Sequence, residues 1–420
     1  MTQAAQNKDK SNVFVFPEKT RYKPETAGAY LPDAMPEHSE SWLDDMRKQA
    51  MDRVRRLGIP TPKLERWKYT DLPKALRKRS LTPGQIKWSI SDADDFNLTR
   101  MPDDKRDIYM RSPFGTDKYN DTMLADLAAI CSTAVAGLFI EEGKTVDKPV
   151  DISVESDGDH FNNGNFLLYL EKGAELTIIE KQNGRGAYWK NIYMQIVLEE
   201  GAFLHHIKIQ NDSPDSINTT TTNIHIAEKA QYNAFTLTKG AGLSRNQIHA
   251  VIDGENADCT LNGVNLLNQD QLGDTTITID HKAPKCTSNQ FYRSLLADKA
   301  HGVFQGKVHV YQEAQQTDGY QLSNAIMLSD GAEMDTKPEL EIYADDVQCS
   351  HGATTGQLED EPLFYMRARG ISEKDAKRLL MQSFLAEVSE HVRDDDTRAD
   401  IDAAIDEWLS DNLQTTEVTT

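Results

Sequence analysis

The sequence predicts an all-β core with helical ends, a parallel β-helix flanked by N-terminal and C-terminal α-helical regions. Three observations predict it. Runs with period-2 alternation fill the middle of the chain, among them Leu176-Thr-Ile-Ile179, Ile192-Tyr-Met-Gln-Ile-Val-Leu198 and Thr276-Ile-Thr-Ile279. An alanine, usually after a glycine or a charged residue, recurs at Ala174, Ala202, Ala230, Ala257 and Ala283, at spacings of 28, 28, 27 and 26 residues. Both ends of the chain switch to helical periodicity. Repeats of this length, each holding about two strands and no helix, bury their apolar faces on one another as stacked coils. A β-sandwich shares the alternation but rarely keeps so even a spacing over several periods.

In chain order, residues 1–38 are polar and interrupted by Pro17, Pro24, Pro32 and Pro36, which reads as an arm unable to bury enough apolar surface to fold alone. A helical region is expected over 39–125. It opens with Ser41–Leu57, where Trp42, Met46, Ala50, Val54 and Leu57 recur at helical spacing and Gly58 with Pro60 supplies the stop. The β-helix is expected over 126–356 and a second helical region over 357–420. There Ser372-Glu-Lys-Asp375 reads as a capping box with Asp as its weaker acidic partner. Ala376, Leu379, Leu380, Phe384, Leu385 and Val388 form one apolar stripe. A second stripe of Ile401, Ala404, Ile405, Trp408, Leu409 and Leu413 follows the acidic break at Asp394–Asp396.

Composition excludes several function classes. The 46 basic and 67 acidic residues give a formal charge of -21, which repels nucleic acid and anionic membrane. Cys131, Cys259, Cys286 and Cys349 form no CxxC pair, so neither a zinc knuckle nor a disulfide framework is indicated and a reducing compartment is expected. The N-terminus lacks the apolar core of a signal peptide, and no apolar run approaches the roughly 20 residues of a membrane helix. A soluble cytoplasmic chain is expected. The sequons Asn97-Leu-Thr99 and Asn218-Thr-Thr220 would matter only on a secretory route.

The motifs were weighed against structural alternatives. Gly137-Leu-Phe-Ile-Glu-Glu-Gly-Lys-Thr145 places five residues between its glycines where a phosphate-binding loop has four, and a strand-like run follows it, so no nucleotide site is expected. His205 and His206 alternate on a strand, one expected buried and one exposed, and cannot chelate one ion together. Asp345-Asp346 reads as a turn, and no carboxylate constellation of a β-helical polysaccharide-active enzyme is evident. The informative stretch is Leu340–Gly356, where Val347, Cys349 and His351 share one strand face. A thiolate beside an imidazole suits iron or an iron–sulfur species, yet two donors fall short of the four a cluster takes, so the rest would come from another chain. On the residues alone, the alternative is a buried cysteine beside a satisfied histidine.

Several further motifs occur together and in order: Gly306-Lys-Val-His-Val310, Ala314-Gln-Gln-Thr-Asp-Gly-Tyr-Gln321, Leu328-Ser-Asp-Gly-Ala-Glu333, Lys337-Pro-Glu-Leu-Glu-Ile-Tyr-Ala-Asp-Asp-Val347, Cys349-Ser-His-Gly-Ala-Thr354 and Phe364-Tyr-Met-Arg-Ala-Arg-Gly370. With Gly58-Ile-Pro-Thr-Pro-Lys-Leu-Glu-Arg-Trp-Lys-Tyr-Thr-Asp-Leu72 upstream, the chain resembles the SufB/SufD family of iron–sulfur cluster assembly scaffolds over roughly residues 40 to 410. Cys349-Ser-His-Gly352 is most similar to its SufD members. The resemblance implies a right-handed parallel β-helix, a heterodimer with SufB, and two copies of the ATPase SufC docked on the C-terminal helical regions. It implies a non-catalytic subunit with ATP hydrolysis left to SufC. It further implies a transient cluster or iron at the SufB interface, with His351 as ligand or positioning residue and Cys349 as a secondary candidate. Because the terminal stripes exceed what two helices need to bury against a β-helix end, Leu379, Leu380, Phe384, Ile405 and Trp408 are the expected SufC contacts. Open at this point are a purely structural role toward SufB, reduced flavin in the complex, iron delivery by this subunit, and a homodimer of the isolated chain.

Overall fold

The computed structural model describes residues 22–23, 30–31, 43–77, 79–92, 96, 101–102, 105, 122–132 and 135–413. Trp42, the Met46 side chain, the Asn97 sequon and nearly all of the expected arm lie outside the described residues. Helix α1 (Leu43–Leu57) ends where expected, because Gly58 adopts φ +72° and its N–H bonds back to the Val54 carbonyl at 2.8 Å. A two-residue pair, β1 (Tyr22–Lys23) with β2 (Ile59–Pro60), follows, then the short α2 (Leu72–Leu76), capped by the Asp71 carboxylate.

Two sheets of nine strands form the core, and the chain alternates between them. The first holds β4 (Lys87–Ile90), β6 (Val150–Asp157), β8 (Glu175–Arg185), β10 (Phe203–Asn211), β12 (Gln231–Thr238), β14 (Asp258–Leu267), β16 (Thr287–Leu296), β18 (Thr317–Met327) and β20 (Val347–Gly356). The second holds β3 (Thr82–Gln85), β5 (Val135–Ile140), β7 (His160–Leu170), β9 (Trp189–Leu198), β11 (Ile217–Ile226), β13 (Leu243–Ile252), β15 (Leu272–His281), β17 (His301–Val310) and β19 (Glu333–Ile342). Within each sheet every neighbouring pair is parallel except β4 with β6, so the architecture is a parallel β-helix with helices at both ends. Two expectations need correction. The boundary placed at 125/126 falls inside α3 (Met123–Cys131), and β3 and β4 already belong to the sheets. The last repeat position is Cys286 and not Ala283, since Asp258 pairs with Thr287. The turn there is lengthened around Pro284, and Lys285, at φ +60°, occupies the left-handed position that Lys229 and Asn256 hold one and two coils earlier.

Inward side chains make the apolar core, including Ile178, Leu204, Tyr232, Cys259 and Leu261. One side of the interior is instead ionic. Lys190 Nζ bonds Asp212 at 2.7 Å and the carbonyls of Val154 and Asn183, while Tyr188 donates to the same carboxylate. Next to it His206 bridges Glu180 and Tyr232, each at 2.9 Å. His205 faces outward yet is equally buried, with 1% of its surface exposed against 4% for His206, which corrects the expected one-in, one-out pair. The C-terminal segment covers it, and the Arg393 N–H points at its Nε2 at 3.4 Å.

The outer face of each sheet is covered at a different end. On the second sheet the Gly58–Leu72 stretch acts as a clamp. Trp67 is fully buried beneath the Arg245 guanidinium at 3.9 Å. The Arg66 carbonyl accepts from Arg245 at 2.9 Å and from Gln305 at 3.1 Å, and Thr70 and Arg245 share the Asp274 carboxylate. On the first sheet, α5 (Glu373–Ser389) and α6 (Asp395–Asn412) lie over Ile207, Phe235, Val264 and Leu295. Ser372 caps α5 through the Asp375 N–H at 3.1 Å, but Asp375 returns its carboxylate to the Ser372 hydroxyl and not to the backbone, so the capping box is half-formed. Asp394, read as part of a break, is the N-cap of α6.

Candidate functional site at the open end of the solenoid

Strands β19 and β20 are the last of their sheets, and no coil follows them. Residues that would face the interior of a middle coil are therefore partly open to solvent. Val347, Cys349 and His351 form one inward row, paired with Thr317, Gly319 and Gln321 of β18. Strand alternation thus places the sequence-predicted pair together, with Cys349 half-buried and His351 exposed. Burial pushes the Cys349 thiol above its ordinary value, and an N–H from Gly319 opposes that shift. Opposite this row, Ile342 is exposed; on the outer side of the same end, Tyr320, Leu322 and Tyr343 are exposed too.

The two edges differ in how firmly they are held. Along β19 the outward row is tied to its own chain: Asp335 to His301 at 2.8 Å, Lys337 to Glu65, and Glu341 to Lys307 and to the Tyr343 hydroxyl. Pro338 also removes one edge donor, a device that discourages uncontrolled strand addition. Strand β20 contains no proline and no Asp, Glu, Lys or Arg. Its charge-free edge is the less defended of the two.

Cys349 and His351 supply two donors that suit iron or an iron–sulfur species, and among the described residues no group of three or more His, Cys, Asp and Glu could hold a metal ion. The site is half of a ligand set. The Gly137–Thr145 stretch is strand β5 running into a turn at Gly143, without the helix N-terminus a phosphate cradle needs.

A second exposed surface lies on α4 (Asp360–Ala368), where Phe364 and Tyr365 are 74% and 59% exposed, next to Leu379 at 46%. This corrects the expected docking set. Ile405 and Trp408 are buried, at 3% and 5%, because their stripe is consumed against the first sheet, and Phe384 packs there partly, under the Arg293 guanidinium. Leu380 is half-buried, so of the expected contacts only Leu379 is fully available. Phe364 and Tyr365 were missed, although adjacent aromatics in a short helix cannot both face one core.

Comparison with known proteins adds the family. Residues 153–384 match the model described as SUF system FeS cluster assembly, SufBD core domain, and residues 31–97 match the SufBD protein N-terminal region. The chain is 28% identical over 389 residues to the iron–sulfur cluster assembly protein SufD of Escherichia coli, covering 86% of this chain and 92% of that one. It is 27% identical over 401 residues to an iron–sulfur cluster assembly SufBD family protein of Synechocystis, covering 84% and 88% respectively.

Proposed function

The chain belongs to the SufBD family of iron–sulfur cluster assembly proteins, and from that premise we propose that it is the non-catalytic, SufD-type subunit of a scaffold formed with SufB and the ATPase SufC. The observation that carries this reading is the open terminal coil with Cys349 and His351 on its inward row. An uncapped coil exposes apolar interior and strand edges that need a cover, and a second solenoid end provides both a matching coil and the missing donors. SufB is that cover, and the cluster is the shared cargo, held on this side by His351 first and Cys349 second. SufC docks on Phe364, Tyr365 and Leu379. The four cysteines are all free, which fits a reducing compartment such as the cytoplasm.

Reconstitution with SufB, SufC, ferrous iron and sulfide tests the cluster site. His351→Ala should co-purify with both partners yet form cluster at a rate lower by about tenfold or more, the scale on which loss of a metal-site group acts. Cluster growth at the wild-type rate would leave this chain a purely structural support for SufB. Docking is tested separately, because removing residues 371–420 would strip the apolar cover from the first sheet and confound any truncation. The double variant Phe364→Ala/Tyr365→Ala should lose SufC in a pull-down while retaining SufB, as expected for aromatic anchors worth about 2 kcal/mol or more each. Undiminished SufC binding would move the docking surface elsewhere.

A further inference from the structure

The inward face of the first sheet changes character over its last three rungs. On β12 and β14 two adjacent columns present Tyr232 with Ala234 and Cys259 with Leu261, all members of the apolar core. From β16 onward the same columns carry Ser288 with Gln290, Gly319 with Gln321, and Cys349 with His351. A polar grid, closed below by Cys259 and Leu261, therefore backs the candidate site and opens only at the solenoid end.

Gly319 leaves a notch in this grid. A Cβ there would stand 3.3 Å from Cys349 Sγ, 3.5 Å from Val308 Cγ1 and 3.6 Å from Ser288 Oγ, which is room for one heavy atom of methyl or sulfur size. The lining is poised to donate. Ser288 Oγ lies 2.8 Å from Nε2 of the fully buried His281, whose Nδ1 has no partner. A buried, unpaired N–H is rarer than an unpaired acceptor, so the proton belongs on Nε2, which leaves the Ser288 hydroxyl free to donate into the notch. Gln290, also fully buried, has neither end of its carboxamide bonded. Each buried polar atom left so costs about 1–3 kcal/mol until something pairs with it. Gln321 differs. Oriented to satisfy both ends, its amide donates to the Gly306 carbonyl at 3.2 Å and accepts from the Val308 N–H at 3.1 Å, so it is a fixed wall.

We propose that this notch is a receptor for one small sulfur species, hydrosulfide, seated between Cys349 and Ser288 behind His351. The proposal rests on the reading of that rung as the cluster site. Size selects a single heavy atom. No Lys or Arg is among the six residues of the grid, so a phosphate-like anion finds neither space nor counter-charge there. Hydroxyl and amide donors beside a thiol suit a soft, weakly charged acceptor. Loading takes place from the open end, before the partner covers it, and places sulfide next to the two donors that bind iron.

Crystals of the full chain alone, kept anaerobic and exposed to hydroselenide as an electron-dense stand-in, would locate the atom by anomalous scattering. One selenium peak is expected in the notch of the wild type. It should disappear in Gly319→Ala, whose added methyl fills the space, and weaken several-fold in Ser288→Ala, with melting curves confirming that both variants fold. A wild-type notch that is empty or holds only water overturns the proposal, as does a peak that survives Gly319→Ala. Because no partner or cluster is involved, such a failure is separate from the outcome of the His351→Ala reconstitution.

Discussion

Replacing Asp212 with alanine is expected to cost about 3–5 kcal/mol, the penalty for breaking a buried ion pair by removing one partner. That is a large fraction of the 5–15 kcal/mol by which folded domains are typically stable. Lys190 and Asp212 both lie inside the solenoid with fully buried side chains, 2.7 Å apart. Burial by itself would raise the Asp212 carboxyl, but the Lys190 charge and hydrogen bonds from Lys190, Tyr188 and Gln210 hold it below its usual value. Asp212 also accepts from Asn218 at 2.6 Å, so its removal strands an ammonium, a phenol and two amides at once. The double variant Lys190→Met/Asp212→Leu should lose less than Asp212→Ala alone, because it leaves no uncompensated charge. Urea midpoints of the three proteins check this, and a double variant as unstable as the single one would mean that packing and not charge dominates the corner.

The second large effect is expected from Trp67→Ala, at about 3–5 kcal/mol for a fully buried indole. Trp67 belongs to an apolar cluster that joins α1, α2 and α3 to Phe161, Trp189, Ile217 and Leu243 of the second sheet. Its ring also supports the Arg245 guanidinium, which in turn holds the Arg66 carbonyl and Asp274. Loss of the indole should therefore release the 58–72 stretch as a unit. Hydrogen exchange should show lost protection over 59–77 and on β13, β15 and β17, with the interior of β8 to β12 little changed. Uniform loss along the whole solenoid would show that the clamp is part of the main cooperative unit.

The coil period, the β-helix and both terminal helical regions were legible in the sequence because side-chain alternation and helical stripes are local properties, set by backbone geometry alone. Cys349 and His351 were placed on one face for the same reason, two residues apart on a strand. Period counting slipped at Ala283, since a longer turn shifts register and a turn's length is decided by what it packs on. The same limit governs burial. His205 reads as exposed until α5 and α6 are laid over β10, and Trp408 reads as a docking residue until the same packing consumes it. The grid of Ser288, Gln290, Gly319, Gln321, Cys349 and His351 joins residues up to 63 positions apart, and only the parallel register brings them into two columns. The sequence alone therefore determined which faces are apolar and which strand carries the donors. Tertiary structure decided which of those faces remain uncovered, because coverage depends on contacts between segments far apart in the chain.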